Sequence, residues 1–94
     1  MRIKKASSAE DHKLISSFHT VRTTLLKEKY AFRRAQPLAY WALPNDRRLP
    51  LAFLGRTIDD LISTPYDELS ATPGIGQKKI STFIKLLQRA VEDE

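Results

Sequence analysis

The sequence predicts an all-α domain, and three observations carry that prediction. Ile80, Phe83, Ile84, Leu87 and Val91 recur at i, i+3, i+4, i+7 and i+11, the apolar stripe of an amphipathic helix. Leu14, Phe18, Val21, Leu25 and Phe32 share a second helical face, widened by Ile15, Leu26 and Tyr30. No pair of segments alternates apolar and polar residues with the period of two that a strand hairpin needs. The expected architecture is a compact helical domain of about five helices: one long N-terminal helix, three short ones, and a terminal helix to about Val91.

Each element has a local reason. Residues 1–8 are polar, basic and aperiodic, and are expected as a mobile basic arm ahead of a single helical domain over 9–94. The overlapping pairs Ser7/Glu10 and Ser8/Asp11 have capping-box spacing and are expected to start the long helix. Arg22, Lys27, Lys29, Arg33 and Arg34 crowd its second half, and Pro37 ends it at about Ala35. Cations near a helix C-terminus are favoured by the macrodipole, which accounts for Arg33 and Arg34 but not for Arg22. Leu38–Leu43, wholly apolar between Pro37 and Pro44, reads as an irregular or single-turn buried connector anchored by Trp41.

Asn45-Asp46-Arg47-Arg48 is a polar turn. A short helix follows over Leu49–Leu54, with Pro50 in its first turn and Gly55 closing it. Thr57 and Asp60 form another capping box, and Thr64-Pro65-Tyr66-Asp67 repeats the device with Pro65 at the first helical position. The helix opened there is expected to run to about Ala71.

Composition sets the class. Ninety-four residues with 41% hydrophobic and 29% charged side chains suit one globular domain. The absence of cysteine excludes disulfides and thiolate metal sites and suits a reducing compartment, so a cytoplasmic protein is expected. No apolar run reaches the length of a membrane span, and no hydrophobic stretch follows Met1-Arg2-Ile3-Lys4-Lys5, so neither membrane association nor a signal peptide is expected. His12 and His19 lie seven apart without a third ligand, and no Ser or Thr stands beside a histidine in a nucleophile pattern. The expectation is a non-enzymatic protein without metal or cofactor.

The net charge of +5 favours a polyanionic partner, but it is unevenly spread. Residues 1–48 hold eleven Lys/Arg against four Asp/Glu, a balance of +7, and residues 49–94 hold five against seven, a balance of −2.

Two of the three glycines fall in Thr72-Pro73-Gly74-Ile75-Gly76, between the short helix around Tyr66–Leu69 and the terminal amphipathic helix. A helix, a Pro-Gly-Ile-Gly turn and a second helix make a helix-hairpin-helix, placed over residues 57–91. Glycine permits positive φ and close approach of another backbone, Ile75 plugs the turn, and the N–H groups opening the second helix can receive a phosphate oxygen.

Residues 57–87 resemble the C-terminal domain of the bacterial RNA polymerase alpha subunit. The matching stretches are Ile58-Asp59-Asp60-Leu61-Ile62, Glu68-Leu69, Thr72-Pro73-Gly74-Ile75-Gly76-Gln77-Lys78 and Ile80, at the family's spacing without a gap. Thr72 and Ile80 depart from the helix-hairpin-helix of repair enzymes, which has an aliphatic and a small residue at those places. The resemblance implies minor-groove DNA binding and contact with transcription proteins. It implies contacts from Gly76 and Lys78, and from an arginine-bearing helix start near Asn45–Arg48, where the gapless offset falls on Asn45.

The expected function is a DNA-binding module of transcription or repair machinery, acting as a monomer on double-stranded DNA, with RNA polymerase or another protein as a candidate partner. The expected contacts are Gly74, Ile75, Gly76, Gln77, Lys78 and Lys79, then Arg47 and Arg48. Arg22, Lys29 and Arg33, which can share one side of the long helix, complete the set as outward-facing cations beside the hairpin. The alternative is a protein-interaction module in which the long helix docks a partner.

Overall fold

The computed structural model describes residues 4–92, with side chains from His12 onward. Six α-helices follow in order: α1 Lys4–Leu25, α2 Ala31–Arg34, α3 Leu51–Leu54, α4 Ile58–Ile62, α5 Tyr66–Ser70 and α6 Gln77–Glu92. Two 3-10 turns, Glu28–Tyr30 and Leu38–Trp41, lie between α1 and α3. There is no strand among the described residues, and no helix is long and apolar enough to cross a membrane. An isolated bridge pairs Pro37 with Thr57, so that Leu38 N–H donates to Arg56 O and Ile58 N–H to Gln36 O.

The core forms where α1 crosses α6. Phe18 of α1 and Phe83 of α6 meet with ring centroids 5.9 Å apart, and Phe53 of α3 packs edge-on to Phe83 at 5.1 Å. Around this aromatic centre Val21, Leu25, Ile80, Ile84 and Leu87 are buried, as the helical stripes require, with Ile58 and Leu61 of α4 and Leu69 of α5. Leu14 is partly buried against them. Trp41 and Leu38 close one side from their 3-10 turn, which is the connector expected between the two prolines. Ile62, Leu86 and Ala90 join the core from outside those stripes.

The long helix expected to reach Ala35 instead stops at Leu25. Its last two turns carry Thr20, Thr23 and Thr24, and the hydroxyls of Thr23 and Thr24 donate back to His19 O and Thr20 O. Such i−4 back-bonding, added to β-branched side chains, weakens and bends a helix. Lys27 then turns extended at ψ 147°, and the chain re-enters through the 3-10 turn. The break swaps the expected core residue. Tyr30 is buried at 8% exposure, and Phe32, placed on the core face of an unbroken helix, is 83% exposed.

Helix starts also differ in detail. α1 begins at Lys4, so Ser7 and Ser8 lie within the helix and not at its start, and Lys4–Ser8 of the expected arm are helical. Met1–Ile3, the rest of that arm, lie outside the described residues. Pro50 and Pro65 stand at N-cap positions, one residue before α3 and α5. Thr57 caps α4 as expected, its Oγ1 accepting from Asp60 N–H at 3.1 Å. Thr64 does not cap α5: its hydroxyl donates to Asp60 O and accepts from Arg56. The Asp60 carboxylate is drawn to Arg56 Nε at 2.6 Å, so the capping box is not reciprocal.

Two outcomes test this core. Ile75, buried at 8% under the turn before α6, should cost about 2–3 kcal/mol when replaced by Ala, read from urea unfolding. Arg33 Nη1 donates to Ala90 O at 2.7 Å and Val91 O at 3.0 Å, the last carbonyls of α6. Arg33→Met should therefore lower stability by about 1–2 kcal/mol, whereas Lys29→Met, at an exposed site, should leave the same midpoint unmoved.

Candidate nucleic-acid interface

The turn before α6 is shaped by its sequence. α5 ends at Ser70, and Thr72 N–H and hydroxyl donate to Leu69 O and Glu68 O. Ile75 N–H returns to Thr72 O at 3.0 Å, closing a four-residue turn with Pro73 second and Gly74 third. Gly74 has φ +85°, which type II turns demand at that position and L side chains resist. Ile75 points inward as the plug, so it supports the surface from beneath. Gly76 O accepts the first helical bond of α6 from Ile80 N–H. A Cβ built at Gly74 or Gly76 would meet nothing within 4 Å, which leaves this backbone open to an incoming chain.

α6 carries a polar line as well as an apolar one. Opposite its apolar stripe, Lys78, Thr82, Lys85 and Arg89 fall at i, i+4, i+7 and i+11, again a single line along the helix. The segment Trp41–Arg48 lies along that line. At one end Arg89 Nη1 donates to Trp41 O at 2.9 Å and grips Asp46 with both nitrogens, at 2.8 and 2.9 Å. Farther toward the N-terminus of α6, the Thr82 hydroxyl lies 3.3 Å from Arg47 O and 3.2 Å from Lys78 O. Thus Arg47 and Arg48 come to the Lys78 end of α6, although thirty-five residues separate Arg47 from Thr82.

Arg47, Arg48, Gly74, Gly76, Gln77 and Lys78 are exposed there, and Lys79 is half-buried. Arg48 has φ +55°, in the left-handed region that costs a non-glycine residue on the order of 1–2 kcal/mol. Strain of this kind gathers where a loop is held for a task.

The cations of the N-terminal half are placed otherwise than expected. Arg22 does not face outward: its Nε donates to Ile62 O, at the end of α4, at 2.6 Å. Arg33 binds the last turn of α6, thirteen residues from Gln77 at Ala90, or roughly 20 Å along the helix. Lys29 is exposed, with its ammonium 5.2 Å from the centre of the Tyr30 ring. These three therefore form no common surface beside the turn, and reversing them together would remove two helix-end contacts. The break at Leu25 separates Lys29 and Arg33 from Arg22, which lies before it in α1.

Sequence reasoning missed Thr82, Lys85 and the Asp46–Arg89 pair. The polar stripe of α6 was a readable signal for the first two. The pair joins positions 43 apart in sequence, and no local pattern marks it.

The pair fixes the electrostatics of this face. Asp46 is drawn well below the ordinary carboxylate range by hydrogen bonds from Arg89 and then from Leu43 N–H, and Arg89 is raised in turn. A carboxyl whose folded pKa is depressed stabilises the fold above its unfolded value and loses that contribution as pH falls through the folded one. The stability gap between the protein and its Asp46→Asn variant should accordingly be full at pH 7 and narrow steadily below about pH 4. Urea unfolding from pH 7 to pH 2 measures it, and a gap independent of pH would refute the assignment.

No family model matches this chain, and comparison with curated proteins and with solved structures likewise finds no match.

Proposed function

We propose that this chain is a non-enzymatic DNA-binding module that holds duplex DNA by its phosphates, with α5, the Thr72–Gly76 turn and α6 acting as a helix-hairpin-helix. The observation that carries the reading is the convergence at Thr82. Its hydroxyl, in the second turn of α6, lies against Arg47 O and so brings the Arg47–Arg48 segment, remote in sequence, to the helix that opens with Lys78 and Lys79. An α-helix leaves the N–H groups of its first turn without intrahelical acceptors, and its N-terminal dipole attracts anions. Lys78, Lys79, Arg47 and Arg48 add mobile positive charge around those donors, the combination that phosphate recognition uses.

The resemblance of Thr72–Lys78 to the polymerase alpha-subunit domain supports the minor-groove side of the duplex and a role in transcription, with repair as the other setting. The apolar face of α1 is covered internally by α6, which supports a monomer. The absence of cysteine agrees with action in the cytoplasm.

A second reading rests on a specific observation. Leu26, Phe32, Tyr40, Leu43 and Leu51 are large apolar residues between 48% and 83% exposed, which supports a protein-interaction module instead.

Fluorescence anisotropy on labelled duplexes separates the two. Under the DNA reading, affinity is weak, indifferent to sequence and steeply salt-dependent, and Lys78→Ala with Lys79→Ala flattens the log–log salt slope by about two units. Binding that survives this double variant at full slope removes the hairpin as the contact surface. No binding to duplex at low salt gives the protein to the docking reading.

A further inference from the structure

We infer that the phosphate track does not end at the hairpin turn but continues along the polar stripe of α6, with Lys85 as its distal contact and the Asp46–Arg89 pair as the device that keeps it cationic. The inference rests on the DNA-binding reading above and names the residues that extend its site.

Lys78 and Lys85 are exposed and seven residues apart, so they project from one side of α6 about 10 Å from each other. One strand of B-DNA carries a phosphate per roughly 3.4 Å of axis, so the two lysines can engage different phosphates. Thr82 stands between the two lysines on the same line, half-buried under the Arg47 carbonyl, and contributes no opposing charge. The track has a defined end, because Glu92 is exposed seven residues beyond Lys85, where an anion would repel a phosphate.

One carboxylate threatens this arrangement. Asp46 immediately precedes Arg47 and is bonded to Arg89, one helical turn beyond Lys85 on α6. Left alone it would pair with Lys85 and cancel the distal contact. Arg89 prevents this by taking both carboxylate oxygens, at 2.8 and 2.9 Å, leaving Asp46 with only 11% of its side chain exposed. A fork-to-fork arginine–carboxylate pair satisfies the acceptors that a lysine would otherwise engage. Lys85 is thereby left for an external anion. Arg89 is a positioning residue here and touches no phosphate itself.

Anisotropy on the full chain with a labelled duplex, over a salt series, reads each part. Lys85→Ala should weaken all duplex sequences alike, several-fold at low salt, and lower the magnitude of the salt slope by about 0.9. Arg89→Gln should weaken binding as well, by releasing the Asp46 carboxylate onto Lys85. Asp46→Asn combined with Arg89→Gln should restore affinity, since the opposing charge is gone; a thermal melt of each variant confirms that it is folded. If Lys85→Ala retains the parent slope while Lys78→Ala lowers it, the DNA reading stands and the extended track is wrong. If the double variant binds as poorly as Arg89→Gln, the pair serves the fold and does not mask a charge. Absence of binding by the parent protein overturns both readings together.

Discussion

The constraint on which this structure depends is the supply of donors to helix ends. Among the described residues, four of the six α-helices have only four or five residues, too short to form in isolation. Every helix leaves its last carbonyls without an intrahelical donor, so a fold made of short pieces accumulates such carbonyls. Arginines supply the donors from a distance. Arg22 reaches the end of α4, Arg33 the end of α6, Arg34 the carbonyls of Leu25 and Lys27 where α1 stops, and Arg89 that of Trp41. Each guanidinium brings several fixed donors and a positive charge to the negative end of a dipole, and remains half-buried while doing so. Three of these contacts join residues at least 40 apart, so the same bonds that cap the helices also set how they are arranged.

This division of labour alters what the net charge means. A formal +5 treats arginine and lysine alike, yet Arg22, Arg33, Arg34, Arg56 and Arg89 are all engaged with carbonyls or carboxylates. The +7 of the N-terminal half is therefore no measure of its pull on a polyanion. Lysine, a flexible and strongly hydrated point charge, is poorly suited to capping at long range, and Lys13, Lys27, Lys29, Lys78 and Lys85 stay exposed. The cations left exposed near the N-terminal end of α6 are thus few, and their arrangement matters more than the total.

What was legible in the sequence follows from the range of the interactions involved. The stripe Ile80, Phe83, Ile84, Leu87 is local and periodic, and its core role follows directly; Thr57 and its bond to Asp60 N–H are equally local. The run Leu38–Trp41 was recognisable between its prolines because those residues limit the chain on both sides. The end of α1 was not legible, since Leu26, Tyr30 and Phe32 continue a plausible stripe. What decides against it is back-bonding by threonines and the reach of Arg34 to Leu25 O and Lys27 O, neither of which changes hydrophobic spacing. The site was half legible. Gly74 and Lys78 are marked by turn chemistry, but only folding brings Arg47 to Thr82, across thirty-five residues.

That last juxtaposition explains why α6 carries so much of this molecule. Its apolar stripe holds α1 and the aromatic centre, its C-terminal carbonyls hold α2 through Arg33, and its polar stripe holds the Trp41–Arg48 segment through Arg89 and Thr82. A loop fastened at two points along a rigid helix cannot relax freely, which is consistent with Arg48 being kept at φ +55°. Stability and the candidate site are consequently coupled through α6. Arg89 contributes to the fold by bonding Trp41 O and to the site by occupying Asp46, so a change there acts on both. Lys78 and Lys85, on the same stripe but free of such duties among the bonds described, are where function can vary without disturbing the fold.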